Sequence, residues 1–161
     1  MMSDVITKTV VLAAPLVRVW DAVSDARRFG AWFGAEFTGP FVAGARVGAR
    51  VVPTTVDAEV AAKQAPHAGI TFDVWVEAVE PMRRLAFRWH PYDLAGQDPA
   101  AAPTTLVELL LDQTPEGTRL TLRESGFERV PLEKRAAAFK GNEEGWELQA
   151  RLITAYLATR P

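Results

Sequence analysis

A broad apolar helix face runs through residues 124–157, ESGFERVPLEKRAAAFKGNEEGWELQARLITAYL. Apolar side chains recur there at spacings of four, three and four residues, at Trp146, Ala150, Ile153 and Leu157. This period is typical of an amphipathic α-helix that buries one face. We expect Asn142 to cap this helix, and a separate helical turn to begin upstream at Pro131 or Leu132.

The preceding sequence contains stretches that alternate apolar and polar side chains, as half-buried β-strands do. These stretches are residues 4–13, 44–52, 70–81, 84–90, 104–114 and 117–125. The turn signal at Pro115-Glu116-Gly117 joins the last two into a hairpin. Two short helices are predicted between the first two strands, with Asp25 capping the second.

An antiparallel sheet with one apolar face has to be covered, and the widest apolar helix in the sequence is the last one. The prediction is therefore an α+β fold, in which a curved antiparallel sheet wraps around a long C-terminal helix. The length of 161 residues fits one domain over residues 1–161.

The composition sets several functions aside. A net charge of -2 gives no sign of nucleic-acid binding, and the lack of cysteine excludes disulfides and thiol chemistry. We find no signal peptide and no apolar stretch that could span a membrane, so we expect a cytoplasmic protein. With two histidines and no phosphate-binding loop or nucleophile elbow, we predict no metal site and no cofactor.

Three stretches carry a resemblance to a known family. They are VWDAVSDARRFGAWFG (19–34), VEAVEPMRRLAFRWHP (76–91), and ESGFERVP with NEEGWELQARLITAYL (124–131 and 142–157). In this order they resemble the START-like superfamily, also called SRPBCC or Bet v 1-like. The branch is the one related to the activator of the heat-shock-protein-90 ATPase, of the single-domain bacterial type. The resemblance implies a helix-grip fold with an apolar cavity between sheet and helix.

Aromatic and aliphatic residues on the inward faces are the candidate ligand contacts, because ligand pockets are mostly apolar. The same residues could equally be plain core packing. The candidates are Trp32, Phe33, Phe41, Phe72, Val74, Phe87, Trp89, Leu122, Phe127, Trp146 and Ile153.

Two polar residues are candidate catalytic groups. Glu124 shares a strand face with Leu122, so its carboxylate should lie at one end of the apolar face, where burial is costly unless it is paired. The alternatives are a structural ion pair with an arginine, for which the candidates are Arg88, Arg119 and Arg123, and simple exposure at the end of the strand. His90 follows Trp89 and is either a pocket acid or base or an exposed imidazole at a strand end.

Three functions stay open. The favoured one is non-catalytic binding of a hydrophobic or aromatic small molecule, lipid-like or polyketide-like. The others, both implied by the resemblance, are a polyketide cyclase-like enzyme and a single-domain regulator related to the heat-shock ATPase activators. The long segments 53–69 and 91–103 are candidate lids or pocket mouths. An exposed sheet edge would permit a homodimer.

Overall fold

The computed structural model describes residues 4–159, so the ends of the predicted domain, 1–3 and 160–161, lie outside the described residues. The strands are β1 (Val5–Leu12), β2 (Ala35–Phe37), β3 (Arg46–Val51), β4 (Thr71–Glu80), β5 (Arg84–Trp89), β6 (Thr105–Thr114) and β7 (Gly117–Ser125). The helices are α1 (Leu16–Ser24), α2 (Ala26–Phe33), α3 (Ala58–Gln64) and α4 (Leu132–Ala158).

The strands form one seven-stranded antiparallel sheet in the order β1-β7-β6-β5-β4-β3-β2. Helix α4 packs on this sheet, and α1 and α2 lie between β1 and β2 in the chain. The predicted α+β class and the helix-grip arrangement are confirmed. The sheet buries one face of each long strand, as at Leu109, Leu120 and Leu122, each at most 1% exposed.

Helix α4 is one continuous helix of 27 residues, so the prediction that Asn142 caps a separate helix is wrong. The alanines at 136–138 have high helix propensity. The helical turn that begins at Leu132 therefore continues without a break into the amphipathic segment that follows. The C-terminal half of α4 covers the core through Leu152, Ile153, Tyr156 and Leu157, which are all buried.

Segment 53–69 contains helix α3, where the sequence showed no clear period. The helix has seven residues and buries only Val60, which is too little for a periodic pattern. The Asp57 carboxylate caps it by accepting from the Val60 backbone N–H, and it also pairs with Arg151 of α4 at 2.8 Å. The Val60 N–H and the Arg151 charge hold the pKa of Asp57 below its ordinary value.

Helices α1 and α2 are fixed by one cap and one buried hydrogen bond. Asp25 caps α2, as predicted, by accepting from the backbone N–H groups of Arg27 and Arg28. The Trp32 indole, which is fully buried, donates to the carbonyl of Ala22 at 2.9 Å. The α2 helix then approaches β2 so closely that a Cβ at Gly30 would lie 2.2 Å from the Ala35 carbonyl oxygen.

This close approach gives a test of the fold. Gly30→Ala should destabilise the protein by about 2–3 kcal/mol, because the backbone of β2 has to move. Gly141 lies in α4, and a Cβ added there would have no neighbouring atom within 4 Å. The Gly141→Ala substitution should therefore stabilise the protein by about 0.5–1 kcal/mol. Urea unfolding monitored by tryptophan fluorescence measures both. Equal stability of the two variants would contradict the α2–β2 geometry.

Candidate functional site

The centre of the site is the Glu124 carboxylate, which is fully buried at the end of β7. Its Oε1 accepts from Trp146 Nε1 at 2.8 Å, and its Oε2 accepts from Trp89 Nε1 at 2.9 Å and from the Thr105 hydroxyl. The Asn142 amide donates to both oxygens, at 3.1 and 3.0 Å. Two tryptophans, a threonine and an asparagine therefore satisfy one carboxylate.

All of these donors are neutral, so the predicted alternative of an arginine ion pair is wrong. Arg88 pairs with Glu77 on the opposite face of the sheet, and Arg119 and Arg123 are exposed. Alternation along β7 explains this, since residues 119 and 123 point away from the face that holds Leu122 and Glu124. Dipolar donors around a buried carboxylate can offset the loss of its hydration.

Trp89 connects this carboxylate to a group of aromatic rings. Its ring stacks on Trp146 with centroids 5.6 Å apart and planes 28° apart. It also contacts Phe87 at 5.4 Å, Phe33 at 6.1 Å and Phe72 at 6.2 Å. One edge of the indole is thus held by Glu124 and one face stacks on Trp146, while part of the ring stays exposed.

Beside these rings lies an open groove of about 1260 Å³. We define the groove by its aromatic wall of Phe33, Phe37, Phe72 and Trp89 and by three further lining residues, His90, Tyr92 and Asn142. A small chamber of about 80 Å³ adjoins it, lined by Phe33, Trp89, Asn142, Gly145, Trp146 and Gln149. The middle of α4 borders both spaces.

The structure divides the predicted ligand contacts into two groups. Phe33, Phe72 and Trp89 line the groove, and Trp146 lines the chamber together with Phe33 and Trp89. The others lie away from both spaces: Phe41 borders a separate cleft beside α2, and buried core positions hold Trp32, Val74, Phe87, Leu122, Phe127 and Ile153. Ligand binding by these residues stays a prediction.

Two glutamines fix the Phe33 end of the wall. Phe33 is the last residue of α2, and its carbonyl accepts from Gln149 Nε2 of α4 at 3.0 Å and from Gln64 Nε2 of α3 at 3.1 Å. Segment 53–69 thus supports the groove through α3. The sequence analysis did not single out Asn142 as a site residue, nor Gln149 or Tyr92. In the sequence, these three residues differ from other surface positions only in being polar or amphipathic and lying beside apolar residues.

The two predicted catalytic candidates differ in their access to the groove. His90 lines the groove, and its Nδ1 is 3.1 Å from the Pro103 carbonyl oxygen at the far end of segment 91–103. Glu124 has no exposed surface, and the groove reaches it only through its donors Trp89 and Asn142. Glu124 is therefore placed to position these side chains.

Two further observations concern residues 4–159. No three His, Cys, Asp or Glu side chains in this range come together as a metal site would need. Every helix in the same range is too short or too polar to cross a lipid bilayer.

The sequence profile of the family described as "Activator of Hsp90 ATPase homolog 1-like protein" matches residues 13–158. The chain belongs to this family. The resemblance drawn from the three sequence stretches is therefore confirmed. No curated protein matches the chain.

Solved structures similar to this family member share its fold. Protein MLL2253 from Mesorhizobium loti is 24% identical, with a TM-score of 0.71 and 98% of each chain covered. DynU16, from the dynemicin biosynthetic locus, is 29% identical with a TM-score of 0.68, and the match covers 98% of this chain but only 48% of DynU16. CalU16 from Micromonospora echinospora is 20% identical with a TM-score of 0.58, over 95% of this chain and 74% of CalU16.

The carboxylate network predicts a large effect of a small change. Glu124→Gln keeps the side-chain shape but directs an N–H₂ group at indole and amide donors, which leaves buried donors without acceptors. We expect the free energy of unfolding to fall by about 2–4 kcal/mol in urea titrations.

The matched control is Glu116→Gln in the exposed β6–β7 turn, where the expected change is within about 0.5 kcal/mol. If Glu124→Gln were as stable as this control, the four donors would not depend on a carboxylate.

Proposed function

We propose that the protein binds a neutral hydrophobic or aromatic small molecule in the groove. The observation that carries this proposal is the aromatic wall, in which Phe37, Phe72 and Trp89 remain partly exposed along an open space of about 1260 Å³. Aromatic surface left in contact with water is unfavourable, and a flat apolar ligand would cover it. Pockets for small molecules have this combination of apolar walls and a few polar groups.

Charges on the rim of the groove favour a neutral ligand. Glu36 pairs with Arg50 at 3.1 Å, and Asp73 pairs with Arg46 at 2.9 Å. Each pair joins neighbouring strands at the β2–β3–β4 end of the sheet, and the two charges within each pair cancel. At these two pairs a charged ligand would have to disrupt an existing ion pair to gain a partner, whereas a neutral ligand would not.

The comparisons are consistent with this proposal. The related fold of DynU16 belongs to a protein in a biosynthetic locus, which agrees with a small organic molecule as the ligand. The ligand would lie at the mouth between the sheet and the middle of α4, because the C-terminal half of α4 covers a filled core. Segment 91–103 borders this mouth through Tyr92, Leu94 and Pro99 and is the proposed lid.

A cyclase-like enzyme is the second candidate, and one observation favours it. His90 brings an imidazole to the groove, where it could move a proton on a bound polyketide-like substrate. Glu124 would then act by holding Trp89 and Asn142 in place. The test is whether the protein converts a bound compound. Conversion that is lost in the His90→Asn variant and retained in the Glu116→Gln variant would support the enzyme over the binding protein.

A fluorescence titration tests the binding proposal. N-phenyl-1-naphthylamine, a neutral aromatic probe that brightens in apolar surroundings, should bind saturably and quench tryptophan emission. Phe72→Ala should weaken this binding about tenfold, because it removes one ring of the wall.

The control is Val17→Ala, which removes an apolar side chain of α1 that is 51% exposed and lies outside the groove. Its affinity should equal that of the wild type. Equal weakening by both substitutions, or no saturable binding at all, would count against the groove as the binding site.

A further inference from the structure

The small chamber beside the groove is bounded by a glycine on the inward face of α4. The helix supplies four of the six lining residues, Asn142, Gly145, Trp146 and Gln149, and their spacing places them on one helix face. Trp146 is buried and bonded to Glu124, so this face is turned towards the sheet. Gly145 is therefore an inward-facing glycine in the middle of a long helix.

Packing inside the molecule does not account for Gly145. A glycine on an inward face usually allows another element to approach closely, as Gly30 does for Ala35. In the described part of the chain, no atom outside this helix turn lies within 4 Å of the position that a Cβ of residue 145 would take. Alanine has the higher helix propensity and would fit there without a clash. The missing side chain leaves the chamber of about 80 Å³ open.

The chamber wall is mainly aromatic, and its hydrogen-bond donors already have acceptors in the protein. The rings are those of Phe33, Trp89 and Trp146, and both indole N–H groups donate to Glu124. The amide of Asn142 also donates to Glu124, and the amide of Gln149 donates to the Phe33 carbonyl. The wall thus offers ring surface and two amide oxygens, which favours an apolar group over an anion or a carbonyl.

The chamber is open, and it meets the groove. Its lining residues Trp89, Asn142, Gly145 and Gln149 are partly exposed, and Phe33, Trp89 and Asn142 belong to the linings of both spaces. A cavity that holds a benzene ring has a volume of about 150 Å³. The chamber, at about 80 Å³, therefore has room for a branch of a few carbon atoms but not for a further ring.

We infer that Gly145 determines the specificity of the site, because it leaves room for a short alkyl branch on a ligand whose rings lie in the groove. This inference rests on the proposed function and names the residue that limits the size of the branch. The branch would lie against Phe33, Trp89 and Trp146. A side chain at position 145 would occupy the same space.

A series of naphthalenes tests this inference by displacement of N-phenyl-1-naphthylamine. Naphthalene has the rings alone, 2-isopropylnaphthalene adds a three-carbon branch, and 2-phenylnaphthalene adds a ring too large for the chamber. Each fully buried CH₂ group strengthens binding about fourfold, and the branch keeps some contact with water. The wild-type protein should therefore bind 2-isopropylnaphthalene about thirtyfold more tightly than naphthalene, and also more tightly than 2-phenylnaphthalene.

Gly145→Ala is the informative variant, because its methyl group fills part of the chamber without a clash. It should reduce the preference for 2-isopropylnaphthalene over naphthalene from about thirtyfold to about threefold. The matched control is Gly141→Ala, the same substitution in the same helix at an exposed position that lines neither space, and it should keep the wild-type preference. Both variants should unfold at urea concentrations at or above that of the wild type, so misfolding would not explain a loss.

A second pair of probes tests the apolar character of the branch. 2-Ethylnaphthalene and 2-(hydroxymethyl)naphthalene carry substituents of similar size that end in a methyl group and a hydroxyl group. The wild-type protein should bind 2-ethylnaphthalene about fivefold more tightly. Tighter binding of the hydroxymethyl compound would overturn the assignment of the chamber to an alkyl group.

The outcomes separate this inference from the proposed function. An unchanged preference in Gly145→Ala, or tighter binding of 2-phenylnaphthalene than of 2-isopropylnaphthalene, would overturn the inference and leave the groove as the binding site. Equal losses in both alanine variants would also overturn it, because the cause would then be the stiffer helix. If N-phenyl-1-naphthylamine binds saturably and no naphthalene displaces it, the inference alone fails. If no probe binds, both fail.

Discussion

One buried carboxylate organises the polar end of this fold. Moving the charge of Glu124 out of water is costly, and the donors that offset this cost come from three different elements, β5, β6 and α4. The middle of α4 is thereby fixed to the sheet by directed hydrogen bonds, whereas its C-terminal half is fixed by apolar packing. Directed bonds determine orientation as well as distance, so the two indoles bonded to Glu124 have fixed planes.

The function proposed for this member of the activator-homologue family follows from that arrangement. The indole N–H groups of Trp89 and Trp146 donate hydrogen bonds to Glu124, and their rings line the groove and the chamber. The helix therefore has two roles along its length. Near Ile153 it seals a filled core, and near Asn142 and Gln149 it borders open space. A preformed aromatic wall loses little conformational entropy when a ligand binds.

Sequence patterns predicted the elements better than the site. Alternation placed Glu124 on the inward face of β7, and the cap at Asp25 and the stripe from Trp146 to Leu157 were also correct. The donors to Glu124 lie 18 to 35 residues away from it, so their convergence depends on strand register and helix position, which one sequence does not specify. Alternation likewise placed Phe72 and Phe87 on inward faces, but it could not show that only Phe72 reaches the groove.

The most direct measurement is a crystal structure of the protein with N-phenyl-1-naphthylamine bound. The account predicts electron density for the probe against Phe72 and Trp89, with Trp89 and Trp146 still bonded to Glu124. Density in the cleft beside Phe41 and Pro53, or between α4 and the core near Ile153, would contradict the assignment of the groove as the binding site.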